Sequence, residues 1–107
     1  MLIDLETDNL AQIINEKEKV VVLFMANWCG NCKKIKPKFK KIASEIEDID
    51  FIVVDAEKHK DSRKLATITS LPTFASYYSG DFVEQVSTSV QQVLEDFVND
   101  IKQRKVA

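Results

Sequence analysis

The 107-residue chain contains few of the residues that mark a specialised protein class. It has two cysteines, two glycines, two prolines and one histidine. So few glycines and prolines leave little room for linkers or low-complexity segments. A structural zinc site takes four ligands, which two cysteines and one histidine do not supply. We therefore expect one globular domain over residues 1–107, with no bound metal and no cofactor.

Long apolar runs and an excess of one charge are also absent. The longest apolar run, Val20 to Ala26, has seven residues, whereas a membrane-spanning helix needs about 20. A net charge of −2 gives no reason to expect binding to nucleic acid. The sequence does not show the pattern of a secretory signal, which is a basic start followed by an apolar segment. We expect a cytoplasmic protein that binds neither membranes nor nucleic acid.

The only two cysteines, Cys29 and Cys32, directly follow this apolar run in Trp28-Cys29-Gly30-Asn31-Cys32. The run predicts a buried strand and the next segment a helix, so the pair lies at a helix N-terminus. The unpaired N–H groups and the positive dipole end there favour an anionic sulfur. A bridge between the two would close a very short loop, a stabilisation of roughly 2 kcal/mol. The placement therefore favours thiol–disulfide exchange over a structural bridge, and we expect the Cys29 sulfur at the solvent-facing helix tip.

Apolar patterns along the chain predict an α/β fold. Strands are expected at residues 2–5, 20–26 and 51–54, and as a hairpin of residues 73–78 and 82–86. Helices are expected after Thr7 or Asp8, over about residues 29–48, over 62–67, and after a capping box of Ser89 and Gln92. The order strand, helix, strand predicts a right-handed parallel unit. The sum is a central mixed sheet of four to five strands flanked by four helices.

Two helices carry apolar faces that predict the core. The second helix continues its stripe past Pro37, and its face is Ile35, Phe39, Ile42, Ile46 and Ile49. The face of the last helix is Val90, Val93, Leu94, Phe97, Val98 and Ile101. From Lys102 onward we expect a frayed basic tail.

The motif at residues 28–32, the helical Pro37, and Leu71-Pro72-Thr73 before the hairpin occur in an order that resembles the thioredoxin family. The resemblance covers essentially the whole chain. It implies the thioredoxin fold and a protein-disulfide reductase that serves electron transport and cell redox homeostasis. It also implies that Cys29 attacks a substrate disulfide and that Cys32 resolves the mixed disulfide.

The resemblance further implies substrate contacts at Trp28, Gly30, Asn31, Leu71 and Pro72, with a cis peptide before Pro72. The implied partners are disulfide-containing proteins and a thioredoxin reductase or equivalent electron donor, and the implied state is a monomer without a cofactor. The alternative is a thioredoxin-fold binding module or accessory subunit in which the redox cysteines are secondary.

The chain departs from the family pattern at four aligned positions. Asn31 replaces the proline of the motif, Leu23 the buried carboxylate, Val53 the lysine of the central strand, and Thr88 a glycine. One hypothesis is that Asn31 adds a backbone donor near the Cys29 sulfur and makes the protein less reducing; the alternative is that Asn31 is simply a tolerated first-turn residue. Because Leu23 cannot take a proton, resolution by Cys32 is expected to rely on water or on the departing substrate thiolate.

Charged residues around the motif allow two interpretations. Six lysines lie within the nine residues 33–41. They are expected to form a solvated helix face; the alternative is that Lys33 and Lys34 attract acidic partners. The single histidine, His59, lies between two lysines and is predicted to be a surface residue.

Overall fold

The computed structural model describes residues 1–104 and contains a five-stranded mixed sheet. The elements in chain order are β1 (Leu2–Asp4), α1 (Leu10–Asn15), β2 (Lys19–Met25), α2 (Gly30–Glu45), β3 (Asp50–Asp55), a 3-10 turn (Ser62–Leu65), β4 (Thr73–Tyr78), β5 (Asp81–Ser87) and α3 (Gln91–Gln103). The predicted α/β fold is confirmed, with the 3-10 turn in place of the third of four helices. No helix within residues 1–104 is long and apolar enough to cross a membrane.

The sheet has the order β1-β3-β2-β4-β5, with β2 at its centre. Strands β1, β3 and β2 run parallel, whereas β4 is antiparallel to both β2 and β5. All seven residues of β2 are buried, because helices cover both faces of the sheet. The uninterrupted apolar run in the sequence is therefore the pattern of a strand that is buried on both sides.

The alternation of side chains along β2 divides the core into two layers. Val21, Leu23 and Met25 face the layer that contains α2 and α3. Val20 and Phe24 face the layer that contains α1 and the 3-10 turn. Because successive side chains of a strand point to opposite faces, β2 alone contributes side chains to both layers of the core.

Helix α2 is held on the sheet by its apolar stripe and runs without interruption through Pro37. Phe39 is fully buried, and its ring centroid lies 5.4 Å from that of Phe51 on β3 and 5.6 Å from that of Phe74 on β4. The Phe39–Phe51 pair is edge-to-face, a favourable arrangement for aromatic rings. These contacts fix where the N-terminus of α2 lies relative to the strand ends.

Both long helices are shorter than predicted. Helix α2 ends at Glu45, so Ile49 is buried from the connection to β3 rather than from the helix. In α3 the first residue is Gln91, and no side chain caps the helix, so the predicted capping box is wrong. Val90 and Val93 are exposed, whereas the other four predicted core residues of α3 are buried. Lys102 and Gln103 belong to α3 and Arg104 is its C-cap, so the expected frayed tail does not begin at Lys102; residues 105–107 lie outside the described residues.

Asp8, one of the two residues predicted to cap α1, does not cap this helix. Asn9 is at the N-cap position without a side-chain bond, and Asp8 instead accepts hydrogen bonds from the backbone N–H groups of Asp61 and Ser62 and from the Ser62 hydroxyl. The Ser62 Oγ in turn accepts from the Leu10 backbone N–H at 3.2 Å. Asp8 therefore joins the start of α1 to the 3-10 turn, more than fifty residues away in the chain.

The prediction for His59 is wrong, since this residue is 3% exposed. Its Nε2 lies 3.0 Å from the carbonyl oxygen of Leu5 and donates to it, while its backbone N–H donates to Asp55. A buried ring that donates to the main-chain carbonyl just beyond the end of β1 has a structural role.

The turn between β4 and β5 consists of Ser79 and Gly80, both with positive φ, of 49° and 89°. Two residues with positive φ form the hairpin turn whose twist matches that of the strands. A Cβ on Gly80 would lie 2.5 Å from the Oδ1 of Asn15, the last residue of α1. Glycine is therefore favoured at position 80 by its backbone conformation, and a Cβ there would also displace the tip of the Asn15 side chain.

We predict that Asp8→Asn lowers the melting temperature at pH 7 and that this deficit shrinks toward pH 3. The Ser62 hydroxyl bond holds the pKa of Asp8 below its ordinary value of 3.8 in the folded protein. The carboxylate therefore stabilises the fold above that value, and its contribution is lost as the pH falls through and below it. Melting curves at both pH values test this.

Asp48→Asn is the matched control, because Asp48 is exposed and forms no side-chain hydrogen bond within residues 1–104. It should leave the melting temperature nearly unchanged at both pH values. An Asp8→Asn deficit that stays constant between pH 7 and pH 3 would contradict the proposed role of the ionised carboxylate.

Candidate active site

The candidate site forms at the edge of the sheet where β2 and β3 end. Met25 and Asp55 are the final residues of these parallel strands and are paired in register. Strand β4 runs antiparallel and begins at the same edge, with Thr73 opposite Phe24. The cysteine motif, the loop after β3 and the loop before β4 are therefore brought together, as parallel strands bring their carboxyl ends together.

Cys29 and Cys32 are joined by a disulfide, with their Cα atoms 5.2 Å apart. Cys29 is the N-cap residue of α2, and Cys32 lies in the first turn. The pair is less exposed than expected, since Cys29 is 5% exposed and Cys32 is fully buried. The reason is that the Cys29 side chain is bonded to a sulfur that is packed in the apolar layer under α2.

The sulfur of Cys29 takes the place of a capping oxygen. Its Sγ accepts a hydrogen bond from the backbone N–H of Cys32 at 3.1 Å, which satisfies one of the N–H groups that a helix N-terminus leaves without a partner. It is the only hydrogen bond that residues 1–104 give to this sulfur. The predicted donor, the Asn31 backbone N–H, gives this sulfur no hydrogen bond within residues 1–104, so the prediction of an added donor is wrong.

The layer directly beneath the cysteines is apolar. Leu23 on β2 and Val53 on β3 are opposite each other in the sheet, and both are buried in the cluster that holds Cys32. The two positions aligned with the family's buried acid and lysine are therefore neighbours, as the resemblance implies, but neither carries a charge. Among residues 1–104, this cluster contains no carboxylate or lysine that could take a proton from Cys32.

Trp28 lies on the outer side of the motif and is 70% exposed. Its indole Nε1 donates to the Glu57 carboxylate. Glu57 follows β3, and its loop is held by Asp55, whose Oδ1 accepts from the backbone N–H groups of Glu57 and Lys58 at 3.0 and 3.1 Å. Sequence reasoning missed Glu57; its position just beyond the end of β3 is the signal that could have identified it.

The loop before β4 forms the wall that faces the motif. The Leu71–Pro72 peptide is cis, as the resemblance implies. Leu71, Pro72 and Asn31 line one pocket of about 200 Å³ together with residues 87–89. Neither backbone polar group of Leu71 has a hydrogen-bond partner within residues 1–104.

Gly30 at the start of α2 is exposed, and a Cβ built on it would meet no atom within 4 Å. Neither backbone conformation nor packing therefore requires glycine at this position.

Among residues 1–104, no three His, Cys, Asp or Glu side chains converge as a metal site would need.

The lysines of α2 lie on its outer side. Lys33, Lys34, Lys40 and Lys41 are exposed, which confirms the predicted solvated face for these four. Lys36 is half-buried, and its Nζ lies 3.9 Å from Asp4 Oδ1.

Thr88 Oγ1 accepts a hydrogen bond from the Val90 backbone N–H at 3.0 Å and orders the turn before α3.

We predict that Leu23→Asp destabilises the oxidised protein by about 3–5 kcal/mol at pH 7, because it buries a carboxylate with no partner. Val53→Lys in the same chain should recover part of this loss, since the two positions are paired across β2 and β3. Urea unfolding of both single variants and the double variant measures the coupling.

Leu23→Asn is the matched control, which changes polarity and shape without adding charge. The difference between the Asp and Asn variants should grow from pH 4 to pH 8, as the carboxyl ionises. Equal stabilities of the two variants at pH 8 would contradict the picture of an apolar, uncharged layer at this place.

Known proteins share both the sequence pattern and the architecture of this chain. The thioredoxin family model matches residues 1–102. A thioredoxin of Mycoplasma genitalium is 41% identical over 71 residues, which cover 66% of this chain and 70% of that protein. Thioredoxin of Gallus gallus is 34% identical over 85 residues, or 78% of this chain and 81% of that protein.

Solved structures agree with this. The thioredoxin of Plasmodium falciparum superposes with a TM-score of 0.84 at 28% identity, covering 94% of this chain and 98% of that one. Thioredoxin f from spinach chloroplast superposes with a TM-score of 0.86 at 25% identity, covering 95% and 94%. With a bonded Cys29–Cys32 pair at the start of α2, the chain belongs to the thioredoxin family and is a protein-disulfide oxidoreductase.

Proposed function

We propose that this protein reduces protein disulfides through a cycle in which Cys29 attacks and Cys32 resolves. The observation that carries the proposal is the hydrogen bond from the Cys32 backbone N–H to Cys29 Sγ at the N-terminus of α2. This N–H donor and the positive end of the α2 helix dipole both stabilise the thiolate of Cys29, which is the reactive form. Cys29 is also the more accessible sulfur of the two.

The cycle transfers two electrons. The Cys29 thiolate attacks one sulfur of the substrate disulfide, so a mixed disulfide forms and the first substrate thiolate departs. Cys32 then gives up its proton and attacks the Cys29 sulfur, which releases the second substrate thiolate and leaves the Cys29–Cys32 disulfide. Because no acceptor side chain lies beneath Cys32, its proton goes to water or to the departing thiolate.

We assign substrate binding to the surface around the disulfide. The pocket that Asn31 shares with Leu71 and Pro72 lies beside the motif. The free backbone groups of Leu71 suit an extended substrate segment that pairs as an added strand would. The open space at Gly30 leaves room for a substrate sulfur to approach Cys29, and the exposed Trp28 ring offers an apolar surface.

Turnover requires that another protein reduces the disulfide again, and we assign this role to a thioredoxin reductase or an equivalent electron donor. The dithiol itself carries the electrons, so this transport requires no cofactor on the chain. We further propose that the protein acts as a monomer and forms one domain over residues 1–107. We also propose that it acts in the cytoplasm, where a disulfide is catalytic more often than structural. The alternative of a binding module is not favoured, since a binding module would not need a reactive sulfur at the helix N-terminus.

We predict that Cys29→Ser abolishes reduction of insulin disulfides, because no thiolate remains at the helix N-terminus. Cys32→Ser should also stop turnover, but it should accumulate a mixed disulfide between Cys29 and the substrate, visible by non-reducing electrophoresis and mass spectrometry. Equal trapping by both variants, or activity that survives in the double serine variant, would contradict the assigned roles.

We predict that Trp28→Ala lowers kcat/KM for a protein disulfide about tenfold, mainly through KM, because an exposed aromatic side chain beside the reacting sulfur is a typical binding hot spot. Phe82→Ala is the matched control, since Phe82 is also an exposed aromatic residue but lies on β5. The control should stay within twofold of the parent protein. A similar loss in both variants would argue against a substrate role for Trp28.

A further inference from the structure

Beside the motif lies a second, larger pocket that the reduction cycle does not use. It has a volume of about 540 Å³, and its charged rim contains Lys60, Arg63 and Lys64. Its floor is apolar and contains Ala56, Ala66 and Ile68. We call this pocket the basic groove.

The basic groove is next to the disulfide. Glu57 lines one end of it, and the Glu57 carboxylate accepts the hydrogen bond of the Trp28 indole. The other end is formed by residues 66–68, in the segment that leads to Leu71 and Pro72. A segment that is bound with its sulfur at Cys29 and its backbone at Leu71 has the groove within reach.

The groove is positive in a chain that is negative as a whole. Residues 57–64 contain four cations and two carboxylates, a net charge of +2, whereas the complete chain has −2. Both carboxylates are engaged: Glu57 with the Trp28 indole, and Asp61 with Lys64 at 3.8 Å. The Lys64–Asp61 pair is highly exposed, and such a pair contributes little and rearranges easily.

Arg63 is the fixed element of the rim. It is half-buried, and its Nη1 donates to the Ala56 carbonyl at 3.3 Å. This contact uses one of the five N–H groups of the guanidinium and holds the group in place. The remaining N–H groups are a preorganised donor set for a carboxylate, which guanidinium binds in a two-bond geometry.

We propose that the basic groove binds an acidic segment of the protein whose disulfide is reduced, with Asp or Glu side chains on the rim and an apolar side chain on the floor. The inference rests on the proposed function and names its substrate class. It differs from a general attraction by Lys33 and Lys34, because the specificity is assigned to a shaped surface that neither of these lysines lines.

The test uses two peptides with the same disulfide loop, one flanked by Asp and Glu and the other by Asn and Gln. At low ionic strength the parent protein should reduce the acidic peptide with a kcat/KM about tenfold higher, since complementary charge raises association rates by that order. Salt should remove this preference while leaving the rate of the amide peptide nearly constant. Equal kcat/KM values for the two peptides would overturn the inference.

The variant Lys60→Glu/Lys64→Glu should lose the preference, with the loss confined to the acidic peptide and the amide peptide within twofold. The matched control, Lys40→Glu/Lys41→Glu, changes the net charge equally at exposed positions of α2 that are not part of the groove. It should keep most of the preference. Equal losses in the two double variants would assign the effect to the field of the whole molecule and would also overturn the inference.

Two further readouts keep the outcomes separate. If circular dichroism shows that the glutamate variant is unfolded, Lys60→Gln/Lys64→Gln replaces it and should reduce the preference in the same direction. If the parent protein reduces neither peptide, the proposed function fails and the inference, which rests on it, is overturned with it. Reduction of both peptides at equal rates leaves the proposed function intact and rejects only the acidic substrate class.

Discussion

The position of one sulfur atom at the N-terminus of α2 is the constraint on which the rest depends. Cys29 Sγ accepts a hydrogen bond from the backbone N–H of Cys32, so the group that caps the helix is also the group to which we assign the attack on a substrate. The core sets its position: β2 is buried on both faces, and Phe39 packs between Phe51 and Phe74 to hold α2 on the sheet. Packing far from the chemistry thus determines where the disulfide is presented.

Charge is distributed differently from what the family resemblance implies. Leu23 and Val53 make the layer under the cysteines apolar, which avoids the desolvation cost of a buried ion pair. The charges near the site lie at the surface instead, in Glu57 beside Trp28 and in the rim of the basic groove. The charged groups near the site therefore lie where they meet solvent, and the interior beneath the disulfide is apolar.

Much of the fold and of the central motif could be predicted from the sequence, because each signal there is local. The apolar run of β2 and the stripe at Ile35 and Phe39 correspond to observed elements, and the two cysteines are bonded as their spacing allows. Two of the failures have tertiary causes. Asp8 serves the 3-10 turn, and His59 is buried against Leu5, through contacts that span more than fifty residues. No pattern within one segment reports such contacts.

The glycine of the motif leaves a space that the described fold does not fill. Gly30 is the first residue of α2 and is exposed, and a Cβ built on it would meet no atom of residues 1–104 within 4 Å. Alanine would therefore fit at this position without a steric conflict. A bulkier side chain would instead narrow the path to Cys29, so the small residue keeps that path clear for the proposed attack on a partner disulfide.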